Sequence, residues 1–471
     1  MPLAPTPPAA RPPAPNPPAP VSPAPLSSAA SRPSALRWGL TLVAAAVGAG
    51  ASLAAFADPT AARAGIVASL CLALWLGEVV PGFVPTLLLL VAVPLALPAF
   101  EPRVVLGWMA DPVLALFFGG FVLGEAARVH GIDQALAGAA VRYTRGRPRR
   151  LIAGLATTTA FLSMWMSNIA AAALMFACVR PLCPEDGRLR RAVLVAVALG
   201  ANLGGMATPI GSGPNAIAIA SMDVPIPFVS WMAFAVPLVA ASLAFAVVLL
   251  LVVHRVGSEV VTEALPPPLP PADGAPTQRP VLVGVVAAAA ILAWLAEPLH
   301  GVDAPLVSLA LAAVLFGSAL VPAERLRQVD WSTLLLIAGG IGLGRLVEAT
   351  NLLTPLAATL ASPDQPSGFR LGALLFASAV LSSIMSNTGT AALLVPLAIA
   401  VVPDIPTAPV LVALAASFGM PFVVSTPPNA MAVGAGARAQ DLALPGFVLL
   451  IGGCALLAIT GPWVLGAFGV G

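Results

Sequence analysis

The chain has 471 residues, of which 59% are hydrophobic and only 9% are charged, and its mean hydropathy is +0.97. Soluble domains carry about 25% charged residues, so this composition indicates a polytopic membrane protein. The net charge of +2 gives no indication of a nucleic-acid partner, because the basic residues are scattered over loops, and no such partner is expected. All 22 basic residues are arginine, so the chain has no lysine for a Walker A loop or a Schiff base.

In chain order, the sequence divides into a tail, a first helix and two hydrophobic halves. Residues 1–36 are rich in Pro, Ala and Ser, which predicts a disordered cytoplasmic tail. The first transmembrane helix is predicted at 37–57, transmembrane repeat 1 at 58–254, a cytoplasmic linker at 255–280 and transmembrane repeat 2 at 281–471. Eleven apolar runs approach the ~20 residues that span a bilayer, at 38–57, 61–79, 82–99, 111–129, 192–210, 226–253, 281–297, 304–321, 331–349, 408–435 and 443–468.

Two further apolar runs, 151–179 and 371–403, each contain a Ser-Asn pair. Five arginines between 142 and 150 precede the first run and four between 180 and 191 follow it, so both of its ends are expected to be cytoplasmic. A segment with both ends on one side must enter and return, which predicts a re-entrant hairpin at 151–179. Counting spans from an inner N-terminus places the hairpin 371–403 on the outer face and the C-terminus outside.

Similar motifs occur in the same order in the two halves, and corresponding motifs are separated by nearly the same number of residues. The pairs Ser167-Asn168 and Ser386-Asn387 are 219 residues apart, Gly119 and Gly339 are 220 apart, and Ser212 and Thr426 are 214 apart. Each half has five spans plus a hairpin, and this odd number predicts that the copies are inverted in the membrane. The predicted fold is an all-α polytopic membrane protein with about 11 transmembrane helices plus two re-entrant hairpins in an inverted repeat.

The polar pairs and the Gly/Pro breaks that follow them predict an ion site in each half. A helix break frees carbonyl groups for a cation, and a helix N-terminus presents N–H groups to an anion. Ser hydroxyl and Asn amide oxygens are neutral ligands that Na⁺ accepts. Helix packing is the alternative interpretation, because small polar residues often join membrane helices. Two pairs, each followed about 40 residues later by a break, favour the ion site.

Other conspicuous residues are interpreted as structural. The paired glycines at 119–120 and 339–340 predict close helix packing, and Arg345 is expected to pair with Glu348, three residues away. Four glutamates near helix ends are expected to cap or pair: Glu78, Glu125, Glu297 and Glu348. Four tryptophans are expected to lie at the membrane interface: Trp38, Trp108, Trp231 and Trp463.

The Ser386-Asn387-Thr388 tip, its partner Ser167-Asn168 and the Pro427-Pro428-Asn429 break resemble the divalent anion:sodium symporter family of the ion transporter superfamily. The resemblance covers about residues 60–468, and this combination of motifs is fairly specific to the family. It implies a homodimer of scaffold and transport domains that works by an elevator motion. It also implies that the two tips bind the carboxylates of a di- or tricarboxylate, with two Na⁺ ions beside them.

Carried over by position, the resemblance assigns three groups of residues. Substrate contacts are implied for Asn168, Ser212, Asn387, Thr388, Thr426 and Pro427. The first Na⁺ site would use Ser163, Ser167, Asn168 and Gly211. The second Na⁺ site would use Ser382, Ser386, Asn387 and Ser425. The expected partners are thus a small anionic substrate, Na⁺ as coupling ion with no other cofactor, the lipid bilayer and a second copy of the chain.

Two positions depart from the family pattern. Ile169 stands where the first tip would carry a threonine, and Gly213 replaces the first proline of the break. Losing one hydrogen bond to a charged ligand costs about 1.5–3 kcal/mol, or about tenfold or more in affinity. This asymmetry predicts a smaller or less symmetric anion than the family pattern implies.

The expected function is Na⁺-coupled symport of a divalent organic anion, a C4-dicarboxylate such as succinate, malate or fumarate, by alternating access in the cell membrane. The nearest alternatives are a permease for sulfate or another inorganic anion, and a Na⁺-independent anion exchanger on the same fold. An intramembrane enzyme is disfavoured because the 20 acidic residues lie mainly in loops and at helix ends, and the three histidines are far apart.

Overall fold

The structure, a computed structural model, describes residues 33–145, 147–179, 187–222, 224–257, 279–360 and 365–468. Most of the predicted tail 1–36 and of the predicted linker 255–280 lies outside the described residues. The regular secondary structure of the described part is entirely helical. The predicted all-α class is therefore confirmed.

The first half contains α1 (Ala35–Ala55), α2 (Pro59–Gly77), α3 (Val84–Ala96), α4 (Pro102–Gly107), α5 (Pro112–Val129), α6 (Ile132–Thr144), α7 (Pro148–Ser163), α8 (Asn168–Val179), α9 (Arg188–Gly204), α10 (Gly213–Ala220) and α11 (Phe228–Val253). The second half contains α12 (Pro280–Leu295), α13 (Glu297–His300), α14 (Ala304–Gly317), α15 (Trp331–Ala349), α16 (Thr354–Leu360), α17 (Ser367–Ser382), α18 (Asn387–Val401), α19 (Ala408–Ser417), α20 (Pro427–Gly434) and α21 (Ala439–Ala467). Short 3₁₀ turns lie at Trp108–Ala110 and Ala323–Gln328.

Each of the eleven predicted apolar runs overlaps at least one of these helices, and several helices begin before their run or are shorter than it. Among the described residues, six helical segments are long and apolar enough to cross a membrane: Ala35–Ala55, Pro59–Gly77, Pro102–Val129, Phe228–Val253, Trp331–Ala349 and Ala439–Ala467. Helices α3, α12 and α14 have 13, 16 and 14 residues and are apolar, so they add shorter elements to the same bundle.

Local sequence signals explain where the helices begin. Asp58, Asp111 and Asp330 precede α2, α5 and α15, and each carboxylate accepts hydrogen bonds from backbone N–H groups of the first turn. Asp111 and Asp330 occupy equivalent places in the two halves. Proline at the first turn, as in α7, is also compatible with a helix start, because that N–H has no partner within the helix.

The two polar runs fold as pairs of helices joined by four residues. Helices α7 and α8 are separated by 164–167 and pack against each other, and α17 and α18 are separated by 383–386 and do the same. The first arms begin earlier than predicted, at Pro148 and Ser367, because these residues are accepted in a first turn. Arg370 therefore lies within α17, where it donates to Val401 O (2.9 Å) in the second arm.

The halves interlock through close helix contacts at the paired glycines. Gly119 on α5 lies against Ser308 on α14, where an added Cβ would be 2.5 Å from Ser308 Cβ. Gly339 on α15 lies in the same way against Thr86 on α3, whose hydroxyl donates to Leu335 O (2.9 Å). The predicted close packing at both glycine pairs is confirmed, and in both cases it joins one half to the other.

Three expectations about aromatic and charged residues were wrong. Trp108 and Trp231 are buried rather than interfacial, and the indole of Trp231 donates to Met206 O (3.1 Å) in the α9–α10 connection. Arg345 pairs with Asp111 of the other half instead of with Glu348, because tertiary packing brings the N-terminus of α5 to α15. Glu297 does cap, as predicted, but it accepts from backbone N–H groups at the starts of both α11 and α14.

Candidate functional site

The first tip lies between α7 and α8, and it is built around one serine–asparagine contact. Ser163 is fully buried at the end of α7, and its Oγ lies 2.6 Å from Asn168 Oδ1 and 2.7 Å from Ala201 O on α9. The Asn168 amide lies against Gly205, where an added Cβ would be 2.5 Å from Asn168 Oδ1 and 3.0 Å from Gly211 O. Ser163, Asn168 and Gly211, three of the four predicted first-site Na⁺ ligands, therefore lie together.

The second tip, between α17 and α18, repeats this contact. Ser382 is fully buried, and its hydroxyl donates to Asn387 Oδ1 at 2.7 Å. Ser425 Oγ donates to Ser383 O (2.7 Å), which places the second break directly beside this tip. An oxygen pair of hydroxyl and amide thus lies at each tip. Neutral oxygens of this kind suit a hard monovalent cation, so the residues present fit the predicted Na⁺ sites.

The serine inside each Ser-Asn pair has a local structural role. Ser386 Oγ accepts from Gly389 N (3.1 Å) and caps α18, and Ser167 Oγ accepts from Ala170 N (3.3 Å) in the first turn of α8. Both were predicted as Na⁺ ligands. In the structure each positions the helix that carries the neighbouring asparagine.

The asparagine after each Gly/Pro break bonds to the loop that precedes it. Asn215 Nδ2 donates to the carbonyls of Gly205 (2.9 Å) and Thr208 (2.8 Å), and Asn429 Nδ2 donates to the carbonyls of Met420 (3.0 Å) and Phe422 (2.9 Å). Some of the carbonyl groups that the helix breaks release are therefore satisfied by these amides. Each break is held in one shape by its own asparagine, which preorganises the loop beside the tip.

At the site, a short helix of each half packs against the hairpin of the other half. Helix α10 of the first half packs against α18 of the second, and α20 of the second half packs against α8 of the first. Gly213, the first residue of α10, lies against Thr388, so that an added Cβ would overlap the threonine Oγ1. We call these two contacts the α10–α18 pair and the α8–α20 pair.

Asn202 joins the halves at the centre of the site, and sequence reasoning missed it. This residue lies on α9 with 2% of its surface exposed, and its Nδ2 donates to Thr426 Oγ1 and to Asn429 Oδ1, both at 3.1 Å. Its Oδ1 is buried and has no hydrogen-bond partner among the described residues. A lone amide inside the apolar run 192–210 was the available signal, because polar groups at membrane depth usually have a defined partner.

The predicted substrate residues divide into a polar and a less polar side. In the α10–α18 pair, Ser212 Oγ is buried without a hydrogen-bond partner in the described part of the chain, next to Gly213 and the half-buried Thr388. In the α8–α20 pair, Ile169 is 47% exposed and Pro427 is also exposed. The Thr426 hydroxyl on this side already accepts from Asn202 and from Asn429 N (3.4 Å). Free hydroxyl groups are thus concentrated at the α10–α18 pair.

An aromatic stack connects the first tip to the other half. Trp165, three residues before Asn168, stacks parallel to Trp294 on α12 with ring centroids 6.3 Å apart. Phe228 at the start of α11 stacks on Trp294 at 5.1 Å and on Trp165 at 6.5 Å. These flat contacts hold the tip against α12 without any hydrogen bond to the Trp165 indole among the described residues.

Many apolar helices, two broken helices and two polar helix-pair tips define an all-α, multi-pass membrane transporter. The family model described as citrate transporter matches residues 72–419, which is most of the chain. The protein belongs to the citrate transporter family. Its membership of the ion transporter superfamily, indicated by the paired motifs, is confirmed.

Curated relatives and a solved structure support the same class. The inorganic phosphate transporter PHO87 of Saccharomyces cerevisiae is 29% identical over 409 residues, which are 80% of this chain and 43% of that protein. The sodium-dependent high-affinity dicarboxylate transporter 3 of Caenorhabditis elegans is 25% identical and shares 80% of this chain and 78% of its own length. The YdaH transporter of Alcanivorax borkumensis has a similar fold, with a TM-score of 0.55, 14% identity, and coverage of 81% of this chain and 98% of that one.

Proposed function

We propose that this transporter carries a small divalent anion together with Na⁺ and that its first candidate substrate is a C4-dicarboxylate. The observation that carries the proposal is the repeated tip, in which a buried serine hydroxyl and an asparagine amide oxygen meet at 2.6 Å in one half and 2.7 Å in the other. In this proposal, the two oxygen pairs would bind the cations, and the helix N-termini beside them would bind the anion. The names of the dicarboxylate relative and of the family support this substrate class.

In this proposal, Na⁺ binds first and orders the site for the anion. Ser163, Asn168 and Gly211 would hold one ion, and Ser382, Asn387 and Ser425 the other. The cations would neutralise the charge of the anion, whose carboxylates would accept from the N–H groups at the starts of α8, α10 and α18. Ser212 and Thr388 would add hydroxyl donors at one end. An elevator-type movement would then expose the loaded site to the other side.

Proteoliposome uptake tests the proposal directly. Purified protein is reconstituted, and uptake of radiolabelled succinate is measured with an inward Na⁺ gradient and with choline in place of Na⁺. We expect Na⁺-gradient-driven accumulation that disappears in choline. If dicarboxylates, sulfate and phosphate all fail to accumulate in a Na⁺ gradient, the proposal is wrong. Equal uptake in Na⁺ and choline would instead support a Na⁺-independent exchanger.

Phosphate is the second candidate substrate, and the uneven distribution of hydroxyl groups favours it. The α10–α18 pair offers Ser212 and Thr388, whereas the α8–α20 pair presents the exposed Ile169. A compact oxyanion needs donors at one end only, while a dicarboxylate needs them at both. The name of the yeast relative points the same way.

The variant Ile169→Thr separates the two candidates. It restores a hydroxyl at the α8–α20 pair, and one hydrogen bond to a charged group is worth about 1.5–3 kcal/mol. If a dicarboxylate spans the site, its affinity should rise about tenfold while that of phosphate changes little. The matched control is Ile169→Val, which keeps the β-branched shape and has no hydroxyl. Phosphate uptake with no change in affinity for either anion in Ile169→Thr would favour phosphate as the substrate.

A further inference from the structure

A polar cavity of about 330 Å³ lies far from the tips, at the opposite end of α9. Six residues line it: Arg188, Arg191, Val253, His254, Arg255 and Asp441. They come from the start of α9, the end of α11 and the start of α21, so both halves contribute. Helix α9 has 17 residues and ends at Gly204 beside the first tip, which separates the cavity from that tip by about 24 Å along the helix.

Positive charge dominates the lining of this cavity. Asp441 is the one acid among the six lining residues, and its Oδ2 lies 3.3 Å from Arg191 Nε and accepts from Arg438 N at 2.9 Å. Its charge is therefore already compensated. Arg188 and Arg255 are exposed and have no carboxylate within ion-pair distance in the described part of the chain.

His254 supplies a second, independent feature of the cavity wall. The side chain is 95% buried, and its Nε2 is buried without a hydrogen-bond partner among the described residues. Burial lowers the pKa of His254, an effect that Asp441 opposes and Arg191 reinforces, so the imidazole is neutral near pH 7. An unpaired buried ring nitrogen is unfavourable, and a ligand oxygen or hydroxyl in the cavity would satisfy it.

We propose that this cavity binds a phosphate group through Arg188, Arg255 and His254, as an anion site separate from the transport site. The three side chains come from the start of α9 and the end of α11, and a phosphate group has enough oxygens to accept from all three, whereas a carboxylate has only two. Guanidinium groups match phosphate oxygens in a two-bond geometry. The N-termini of α9 and α21 add positive dipole ends at the same place. The group is either free phosphate or the phosphate of a lipid head group.

Thermal unfolding of the purified full-length protein in detergent tests the site. Inorganic phosphate is titrated in choline buffer at constant ionic strength, so that Na⁺-coupled binding at the tips does not contribute. We expect phosphate to raise the Tm of the wild type and of Thr388→Ala, because a ligand of the folded state stabilises it. In the double variant Arg188→Gln/Arg255→Gln, about 100-fold more phosphate should be needed to produce the same rise in Tm, because each lost charged hydrogen bond lowers the affinity about tenfold. The single variant Arg255→Gln should need about tenfold more.

Arg103→Gln, an exposed arginine on α4, is the matched control and should behave as the wild type. Since Arg188 and Arg255 are exposed, their replacement by glutamine leaves the packed core intact. An equal phosphate response in the double variant would overturn the proposal. A response lost in Thr388→Ala and kept in the double variant would place phosphate at the transport site and overturn it as well.

Lipid binding distinguishes the two sources of the phosphate group. The protein is reconstituted in nanodiscs of phosphatidylglycerol or of phosphatidylcholine, and retained lipid is counted by native mass spectrometry. Retention of phosphatidylglycerol by the wild type and by Arg103→Gln, with loss in the double variant, would identify a lipid head group. No Tm response to phosphate together with equal lipid retention in all variants would refute the site. Neither the melting result nor the lipid-retention result depends on substrate uptake. The proposed transport function is therefore tested separately, by the uptake assay in proteoliposomes.

Discussion

At the scale of single residues, the two equivalent sides of the site differ in which groups are free to meet a ligand. Thr388 lies beside Gly213 and the unpaired Ser212 hydroxyl, whereas Ile169 and Pro427 are exposed and apolar. Gly213 accounts for part of this difference, because only a residue without Cβ can approach Thr388 so closely. Gly213, which departs from the pattern of the repeat, thus allows Thr388 to contact α10.

Replacement of Thr388 by alanine tests the hydroxyl at this side. We expect Thr388→Ala to weaken substrate affinity about tenfold or more, because one hydrogen bond to a charged ligand is lost, and Thr388→Ser to retain most of it. The control is Thr359→Ala, an exposed threonine on α16. Concentration-dependent uptake in proteoliposomes provides the measurement, and unchanged affinity in Thr388→Ala would exclude this residue from the site.

Replacement of Gly213 by alanine tests the contact between α10 and α18. The new Cβ overlaps Thr388 Oγ1, and overpacking of this kind typically costs about 1–3 kcal/mol. A lower Tm and reduced uptake are expected. Gly434→Ala serves as the matched control, since an added Cβ there meets nothing within 4 Å. Equal melting temperatures for the two variants would show that α10 and α18 do not pack as described.

At the scale of elements, each helix break is held by hydrogen bonds within its own half, and the short helix that follows the break packs against the hairpin of the other half. Asn215 and Asn429 hold the breaks through paired bonds to loop carbonyls, while α10 and α20 pack on the opposite hairpins. Asn202 connects these two arrangements, since its amide on α9 bonds to the break before α20. Helix α9, which contacts the first tip through Ala201, is thereby bonded to the break of the other half.

Removal of the Asn202 amide should weaken this connection. We expect Asn202→Ala to lower the free energy of unfolding by about 0.6–2 kcal/mol, the range for hydrogen bonds between membrane helices. Asn351→Gly is a suitable control, because Asn351 is exposed and its φ of 50° is readily adopted by glycine. Thermal melting in detergent compares the two, and an unchanged Tm in Asn202→Ala would mean that its bonds contribute nothing to stability.

At the scale of the whole molecule, three charged contacts join the two halves. Arg345 of the second half pairs with Asp111 of the first, Arg325 lies 3.2 Å from the buried Glu125, and Arg191 lies 3.3 Å from Asp441. The last pair brings together the starts of α9 and α21. The start of α9 is predicted to be cytoplasmic from arginine placement, and that of α21 from the count of spans, because the last span leads to an outer C-terminus. The folded chain thus brings together ends that the predicted topology assigns to one side.

The predicted homodimer belongs to this scale. Only 11% of the membrane-spanning window of α1 is buried within the chain, and its outer face presents large apolar side chains to lipid or to a second copy. We expect the protein to have about twice its chain mass of 47.2 kDa after subtraction of detergent. Light scattering coupled to size-exclusion chromatography gives this mass. A protein mass equal to one chain at all concentrations tested would contradict the dimer.

Most of the architecture followed from the sequence because membrane proteins obey strong local rules. Low charge and long apolar runs required helices, since backbone groups in lipid must bond within the helix. The recurring Ser-Asn pairs and breaks marked the tips, and the structure places Ser163 beside Asn168 and Ser382 beside Asn387, two pairs that the family resemblance assigned to common sites. Helix ends were less accurate, because residues such as Pro148 and Arg370 are accepted inside a first turn.

The sequence by itself determined the membrane class, the two halves and the residues of the tips, because composition, length and spacing are local properties. Only the tertiary structure decided which elements of one half pack against elements of the other half. The exchange of α10 and α20 between halves, the burial of Trp231, the pairing of Arg345 with Asp111 and the central role of Asn202 all depend on contacts between residues far apart in the chain. Such contacts arise when helices that are distant in the sequence pack together, and local sequence patterns do not predict them.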